Sequence, residues 1–142
     1  MKTRLLAFDV GERRIGIAVS DALGITAQGV ETYTRTGDLD KDISYLLSVA
    51  EKFSPVKLVF GLPKNMDGSE GFQAESVREF ANAMLMKFDG EHDFYDERLT
   101  SVSAHRILTE GNVDSRKHKK VVDKIAAVLI LQGYMELHGG LL

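Results

Sequence analysis

The chain predicts an α/β protein built on a mixed sheet, its first three strands antiparallel and its later strands parallel, with helices flanking it. Three observations predict this. The apolar runs Leu5 to Val10 and Ile15 to Ser20 are separated only by the residues Gly11 to Arg14, the spacing of an antiparallel hairpin. Later strand-like runs alternate with segments of helical apolar spacing, the pattern of crossovers to parallel strands. Finally, 142 residues with 44% apolar and 27% charged side chains suffice for one core, so residues 1–142 are read as a single domain.

Leu5-Leu6-Ala7-Phe8-Asp9-Val10 is apolar on both faces and ends at Gly11, which suits a buried central strand with Asp9 near its carboxyl end. Ile15 to Ser20 returns beside it, and a third strand is expected from about Ile25 to Tyr33. From Leu39 the residues Ile43, Leu46, Leu47, Ala50 and Phe53 recur at helical spacing, and Ser54-Pro55 stops the pattern before the strand Val56 to Phe60. The segment Gly61 to Gly71, with the turn-forming Asp67-Gly68, reads as a loop leaving the carboxyl end of that strand. In open α/β sheets ligands bind at that edge. Val77, Phe80, Ala81, Met84, Leu85 and Phe88 mark one face of a second helix, followed by a short strand near His92 to Tyr95 that delivers Asp96 and Glu97. Thr100 can cap a helix running to about Glu110, with Gly111 just past its end. A last helix is expected from about Val121 to Leu137, apolar around most of Ile125 to Leu131 and carrying Asp123 in its first turn. A ribonuclease H-like fold has this order of elements.

Composition narrows the chemistry. No run of about 18 apolar residues could span a bilayer, and no basic n-region leads into an apolar h-region of signal-peptide length, so a cytoplasmic protein without membrane contact is expected. The absence of cysteine removes disulfides, thiolate zinc sites and a cysteine nucleophile, leaving oxygen and imidazole ligands. His92, His105, His118 and His138 show no close ligand spacing, which argues against a histidine zinc site. The formal charge of -3 argues against a uniformly basic coat, although a nuclease site is itself acidic and the local distribution of Lys and Arg matters more.

Three acidic residues, Asp9, Glu97 and Asp123, occur in unrelated stretches, each beside expected core. A carboxylate next to apolar segments loses hydration and needs a cation, a donor set or a proton. Taken one at a time, such residues ordinarily serve a turn, a surface ion pair or a helix dipole. Together, on the expected ligand edge of one sheet, they suit Mg²⁺ or Mn²⁺ held in a small open oxygen cluster. Two such ions about 3.5–4 Å apart can support phosphodiester hydrolysis, with Asp9 between them and Glu97 and Asp123 completing the set. Ala126 and Ala127, one turn beyond Asp123, could let the last helix approach the strand bearing Asp9. The basic run Arg116-Lys117-His118-Lys119-Lys120 precedes Asp123, where a polyanion would need neutralising contacts. A charge run is usually a solvated loop. Arg13 and Arg14 at the hairpin, Lys64 and Asn65 in the Gly-rich loop, and Arg98 beside Glu97 are further candidates for nucleic-acid contact; several could equally be turn residues.

Four blocks carry a resemblance: Phe8-Asp9-Val10-Gly11-Glu12-Arg13-Arg14-Ile15-Gly16, Gly61-Leu62-Pro63-Lys64-Asn65-Met66-Asp67-Gly68-Ser69, Asp96-Glu97-Arg98-Leu99-Thr100-Ser101, and Asp123-Lys124-Ile125-Ala126-Ala127 with Leu129-Ile130-Leu131-Gln132. In this order and over nearly the whole length, the chain resembles the YqgF (RuvX) family of ribonuclease H-like nucleases. The resemblance implies a bacterial cytoplasmic enzyme whose Asp9, Glu97 and Asp123 match the family's acidic metal positions. It further implies maturation of the 5′ end of pre-16S ribosomal RNA, with ribosomal precursor particles as partners. Holliday junction DNA is the alternative substrate. Ser101 stands where members of the family often carry Thr.

Two other classes compete. Asp9-Val10-Gly11 through Gly16 also resembles the first phosphate loop of actin-like ATPases, but those clamp nucleotide between two lobes, and no Walker-type motif is present here. A non-catalytic, ribosome-associated nucleic-acid binder is the other. Clustered negative charge beside a phosphate would not help a pure binder.

Overall fold

The computed structural model describes residues 4–99 and 115–138, and the side chains of all of these but 115–120. Its strands are β1 (Leu5–Val10), β2 (Arg14–Ser20), β3 (Ala27–Thr34), β4 (Lys57–Leu62) and β5 (Glu91–Asp96). Helices α1 (Leu39–Phe53), α2 (Phe72–Leu85) and α3 (Ser115–Leu137) accompany them, with a 3-10 turn at Glu97–Leu99. The sheet order is β3-β2-β1-β4-β5. β1 pairs antiparallel with β2, and β2 with β3, whereas β4 runs parallel to both β1 and β5. This is the mixed sheet expected from the run spacing.

Period-2 alternation distributes the strand side chains between two cores. Leu6, Phe8, Ile15, Ile17, Leu58 and Phe60 face α1 and α2, meeting Ile43, Leu46, Val77, Phe80 and Met84. On the opposite face Leu5, Ala7, Ala18, Val59 and Tyr95 meet Ala127, Ile130, Leu131 and Tyr134 of α3. β1 is therefore buried on both sides, which explains its unbroken apolar run. α1 starts where Asp38 accepts a hydrogen bond from the Lys41 amide at 3.2 Å and stops at Ser54, which adopts a left-handed φ of 46° ahead of Pro55. No described helix is long and apolar enough to cross a membrane.

Three boundaries are set differently from expectation. β3 begins at Ala27 because the Asp21 carboxylate accepts the amides of Ile25 and Thr26, holding that stretch in a turn. β4 runs on through Gly61 and Leu62, so the loop starts at Pro63. α3 begins at Ser115, so the backbone of Arg116, Lys117, Lys119 and Lys120 is helical and not a loop. Asp123 consequently lies more than two turns inside α3, and the charge of a helix amino terminus, which fades within the first turn, does not account for it. The helix expected from Thr100 to Glu110, and Gly111 after it, fall outside the described residues.

Candidate active site

The alternation that divides the cores also gathers the acidic residues. Leu5 and Ala7 face α3, so Asp9, two residues further along β1, is directed to the same side. Val59 leads in the same way to Gly61, Tyr95 to Glu97, and Ala18 back to Gly16 and Arg14. Asp9 and Glu97 thus stand at or just past the carboxyl ends of the parallel strands β1 and β5, below the helix that carries Asp123. The sheet is pared down where α3 crosses it. A Cβ on Gly16 would run into the carbonyl oxygen of Asp123. One on Gly61 would strike Ile130 and lie 3.2 Å from the carboxyl carbon of Glu97. These two glycines, rather than the alanines of the helix alone, let α3 come close enough to bring Asp123 to Arg14.

Asp9 and Glu97 line a common pocket of about 240 Å³ with Glu12, Phe72, Gln73 and Ser76. Burial, and then the charge of Asp123, push the Asp9 carboxyl up to about 6. Burial, then Asp9 and Asp96, push Glu97 up to about 8. Asp9 is therefore the centre of the set, within electrostatic reach of both other carboxylates. Asp123 itself is ion-paired, one oxygen accepting from Arg14 Nε at 2.5 Å. Asp96, next in sequence to Glu97, behaves oppositely, because the Arg98 guanidinium forks onto it at 2.7 and 3.1 Å and holds its carboxyl below the usual range.

Both raised groups hold protons in the folded chain at pH values where the unfolded chain has released them. The stabilisation is complete below about pH 4 and is lost as pH rises through about 6 for Asp9 and about 8 for Glu97. Asp9→Asn should thus stabilise the cation-free protein by about 1–3 kcal/mol at pH 8.5 and by much less at pH 5. Thermal melts in chelator at the two pH values provide the check. A larger gain at pH 5 than at pH 8.5 would count against this electrostatic account.

The residues present fit a divalent cation in a specific way. Two hard oxygen donors share one pocket, and each is strained toward protonation, a strain that a cation relieves. Among the described residues no group of three or more Asp, Glu, His or Cys side chains is arranged to hold an ion, and Asp123 is paired with Arg14. Asp9 and Glu97 share the pocket, while Asp123 is held by Arg14.

The expected nucleic-acid contacts divide. Arg13 is exposed on the β1–β2 turn and has no ion pair among the described residues. Lys64 lies within electrostatic reach of Glu70 and Asp96 at the loop base. Asn65 is a loop-builder: its amide donates to Ser69 Oγ at 3.0 Å, and its carbonyl accepts from Gly68, which has a φ of 91°. Arg98 donates to the Met66 carbonyl at 3.3 Å besides holding Asp96, so it ties the loop to the end of β5. Arg98→Ala should speed amide exchange across residues 63–71 severalfold while leaving global stability almost unchanged, since the Arg98 side of the pair is exposed. Unchanged exchange in the loop would refute the tether. The side chains of Arg116, Lys117, Lys119 and Lys120 fall outside the described set.

Sequence reasoning missed Phe72, Gln73 and Ser76. Phe72 opens α2 with 78% of its surface exposed at the pocket mouth. A signal existed: an aromatic directly after Gly71 and out of phase with the apolar face of Val77, Phe80 and Met84 has no core to enter.

A five-stranded mixed sheet in this order, with carboxylates at the ends of β1 and β5 beneath a crossing helix, defines a ribonuclease H-like protein. Solved structures share the fold. The yeast mitochondrial Holliday junction resolvase Ydc2 superposes with a TM-score of 0.63 at 12% identity, over 97% of this chain and 80% of that one. Thermus thermophilus RuvC in complex with a Holliday junction substrate gives 0.59 at 14%, over 97% and 98%. Residues 3–137 match the family described as RuvX: Holliday junction resolvase, and the chain belongs to that family. Among its relatives, proteins named "Putative pre-16S rRNA nuclease" from Clostridium tetani and Syntrophomonas wolfei are each 47% identical over 133 residues, 94% of this chain and 96% and 94% of theirs.

Proposed function

We propose that the protein is a divalent-metal-dependent endonuclease that hydrolyses phosphodiester bonds in structured RNA, maturing the 5′ end of pre-16S ribosomal RNA in the bacterial cytoplasm. The observation that carries the reading is the pair Asp9 and Glu97, half-buried in one pocket and held toward protonation, with Asp9 within electrostatic reach of Asp123. The name borne by the relatives at 47% identity supports the RNA substrate.

Asp9, Glu97 and, once free of Arg14, Asp123 would hold Mg²⁺ or Mn²⁺. When bound, the metal supplies an activated water and relief of charge on the phosphate. The chain does the rest. Glu97, held toward protonation by burial and by Asp9, would have to give up its proton to serve as a ligand, so cation affinity would rise with pH across its titration. Arg13 and Lys64, next in sequence to the pocket-lining Glu12 and Pro63, offer positive charge near the pocket, and the basic sequence Arg116, Lys117, Lys119 and Lys120 belongs to the first turns of α3. The exposed ring of Phe72 gives an unpaired base a face on which to stack. No protein nucleophile is needed.

A second reading, cleavage of four-way DNA junctions, is favoured by the description of the family. One experiment addresses both: Mg²⁺- and Mn²⁺-dependent cleavage of a pre-16S leader RNA and of a four-way DNA junction, with chelator and Asp9→Asn as controls. Metal-dependent cuts in the RNA that disappear in Asp9→Asn are the expected result. Cuts in the junction alone would shift the assignment to DNA, and no cut in either would overturn the nuclease reading.

A further inference from the structure

Arg14 occupies a position its neighbours in sequence do not. It begins β2 on the face turned to α3, and its Nε lies 2.5 Å from Asp123 Oδ2 across 109 residues of chain. The pair is partly exposed, with 28% and 22% of the two side chains accessible, so it can open at modest cost and the guanidinium can be reached from solvent. A divalent cation approaching Asp9 and Glu97 needs Asp123 and meets the positive charge of Arg14. An incoming phosphate needs a cation partner, and a guanidinium suits it well, because its fork matches a phosphate as closely as it matches a carboxylate.

Resting on the nuclease reading, we propose that Arg14 is a positioning residue that keeps Asp123 from the metal until a substrate phosphate takes over its guanidinium. The ion pair then opposes two ligands at once. Metal entry must break it from the Asp123 side and phosphate binding from the Arg14 side. Two ligands that each disrupt the same contact favour one another, and the coupling is reciprocal: nucleic acid tightens metal binding by the factor by which metal tightens nucleic acid. The site assembles fully on substrate and stays incomplete without it, which limits idle hydrolysis of other phosphates.

The test is Mn²⁺ titration calorimetry of the wild type, Arg14→Ala and Arg14→Lys, each alone and with a phosphorothioate-blocked RNA oligonucleotide. Removing the competing charge should tighten Mn²⁺ binding in Arg14→Ala by roughly three- to tenfold without RNA. The oligonucleotide should tighten Mn²⁺ binding in the wild type by at least roughly fivefold and in Arg14→Ala by less than about twofold, with Arg14→Lys between them. Residual coupling in the alanine variant equal to that of the wild type, or Mn²⁺ binding in it no tighter than in the wild type, overturns the proposal while leaving the nuclease reading intact. Should Arg14→Ala not fold, Arg14→Lys decides by the same criteria, with undiminished coupling overturning the idea. No Mn²⁺ binding by any of the three proteins defeats both the proposal and the reading beneath it.

Discussion

Asp9→Asn is expected to reduce metal-dependent cleavage on the order of a thousandfold or more, with the fold retained. Of the three carboxylates Asp9 alone lies within electrostatic reach of both others. It also stands at the end of a strand buried on both faces, which gives it little freedom to be replaced by a neighbour. The amide matches the carboxylate in volume, so β1 need not move. What changes is the charge: a neutral oxygen is a poor ligand for a hard cation, and Glu97 loses the neighbour that helps hold it protonated. Comparing single-turnover rates at saturating Mn²⁺ with thermal melts of the same preparations separates chemistry from folding. A variant that cuts within tenfold of the wild type would remove Asp9 from the mechanism. Asp123→Asn should also lose activity, but without the same gain in stability, since it strips Arg14 of its partner.

The second large effect is structural. Gly16→Ala places a methyl group against the carbonyl oxygen of Asp123, 2.6 Å from its carbonyl carbon and 3.3 Å from the Lys124 amide nitrogen. Every atom it meets is backbone, so no rotamer change relieves the overlap and α3 must lift from the sheet. A loss of about 2–4 kcal/mol is expected. Gly29→Ala is the matched control, because its methyl meets only the side-chain methylenes of Lys124, which can swing aside. Its cost should stay below about 1 kcal/mol. Denaturant melts of the two variants give the comparison, and equal destabilisation would show that the approach of α3 over Gly16 is not what fixes the helix. Lifting α3 also draws Asp123 away from Asp9, so Gly16→Ala should weaken Mn²⁺ binding even where it remains folded.

Much of this arrangement was legible from residue order. The hairpin followed from the short Gly11 to Arg14 connection, and the parallel strands from the helical spacing of Ile43, Leu46, Ala50 and Phe53 ahead of Val56. Asp9 and Glu97 could be read as strand-end carboxylates because the apolar runs before them fixed both strand and direction. Less could be read where the deciding partner is remote. The pairing of Arg14 with Asp123 joins residues 109 apart, and no local pattern distinguishes Arg14 from Arg13 except the alternation that turns one toward α3 and leaves the other in solvent. The start of α3 was misplaced because Arg116 to Lys120 lack apolar periodicity, the signal by which helices are recognised, although Lys and Arg are good helix formers. Asn65 and Arg98 are candidates for nucleic-acid contact by their place in the Gly-rich loop and beside Glu97, while the bonds that tie them to Ser69, Asp96 and Met66 depend on partners no local pattern reveals.

The dependence of the third acid on α3 orders events in the life of the chain. Asp9 enters the sheet through the first hairpin, Glu97 arrives with the last strand, and Asp123 joins them only when the terminal helix settles over Gly16. A polypeptide still being synthesised can complete its strands while holding an unfinished set of ligands. The proposed capacity to cut RNA would then date from the docking of α3 and not from the closing of the sheet.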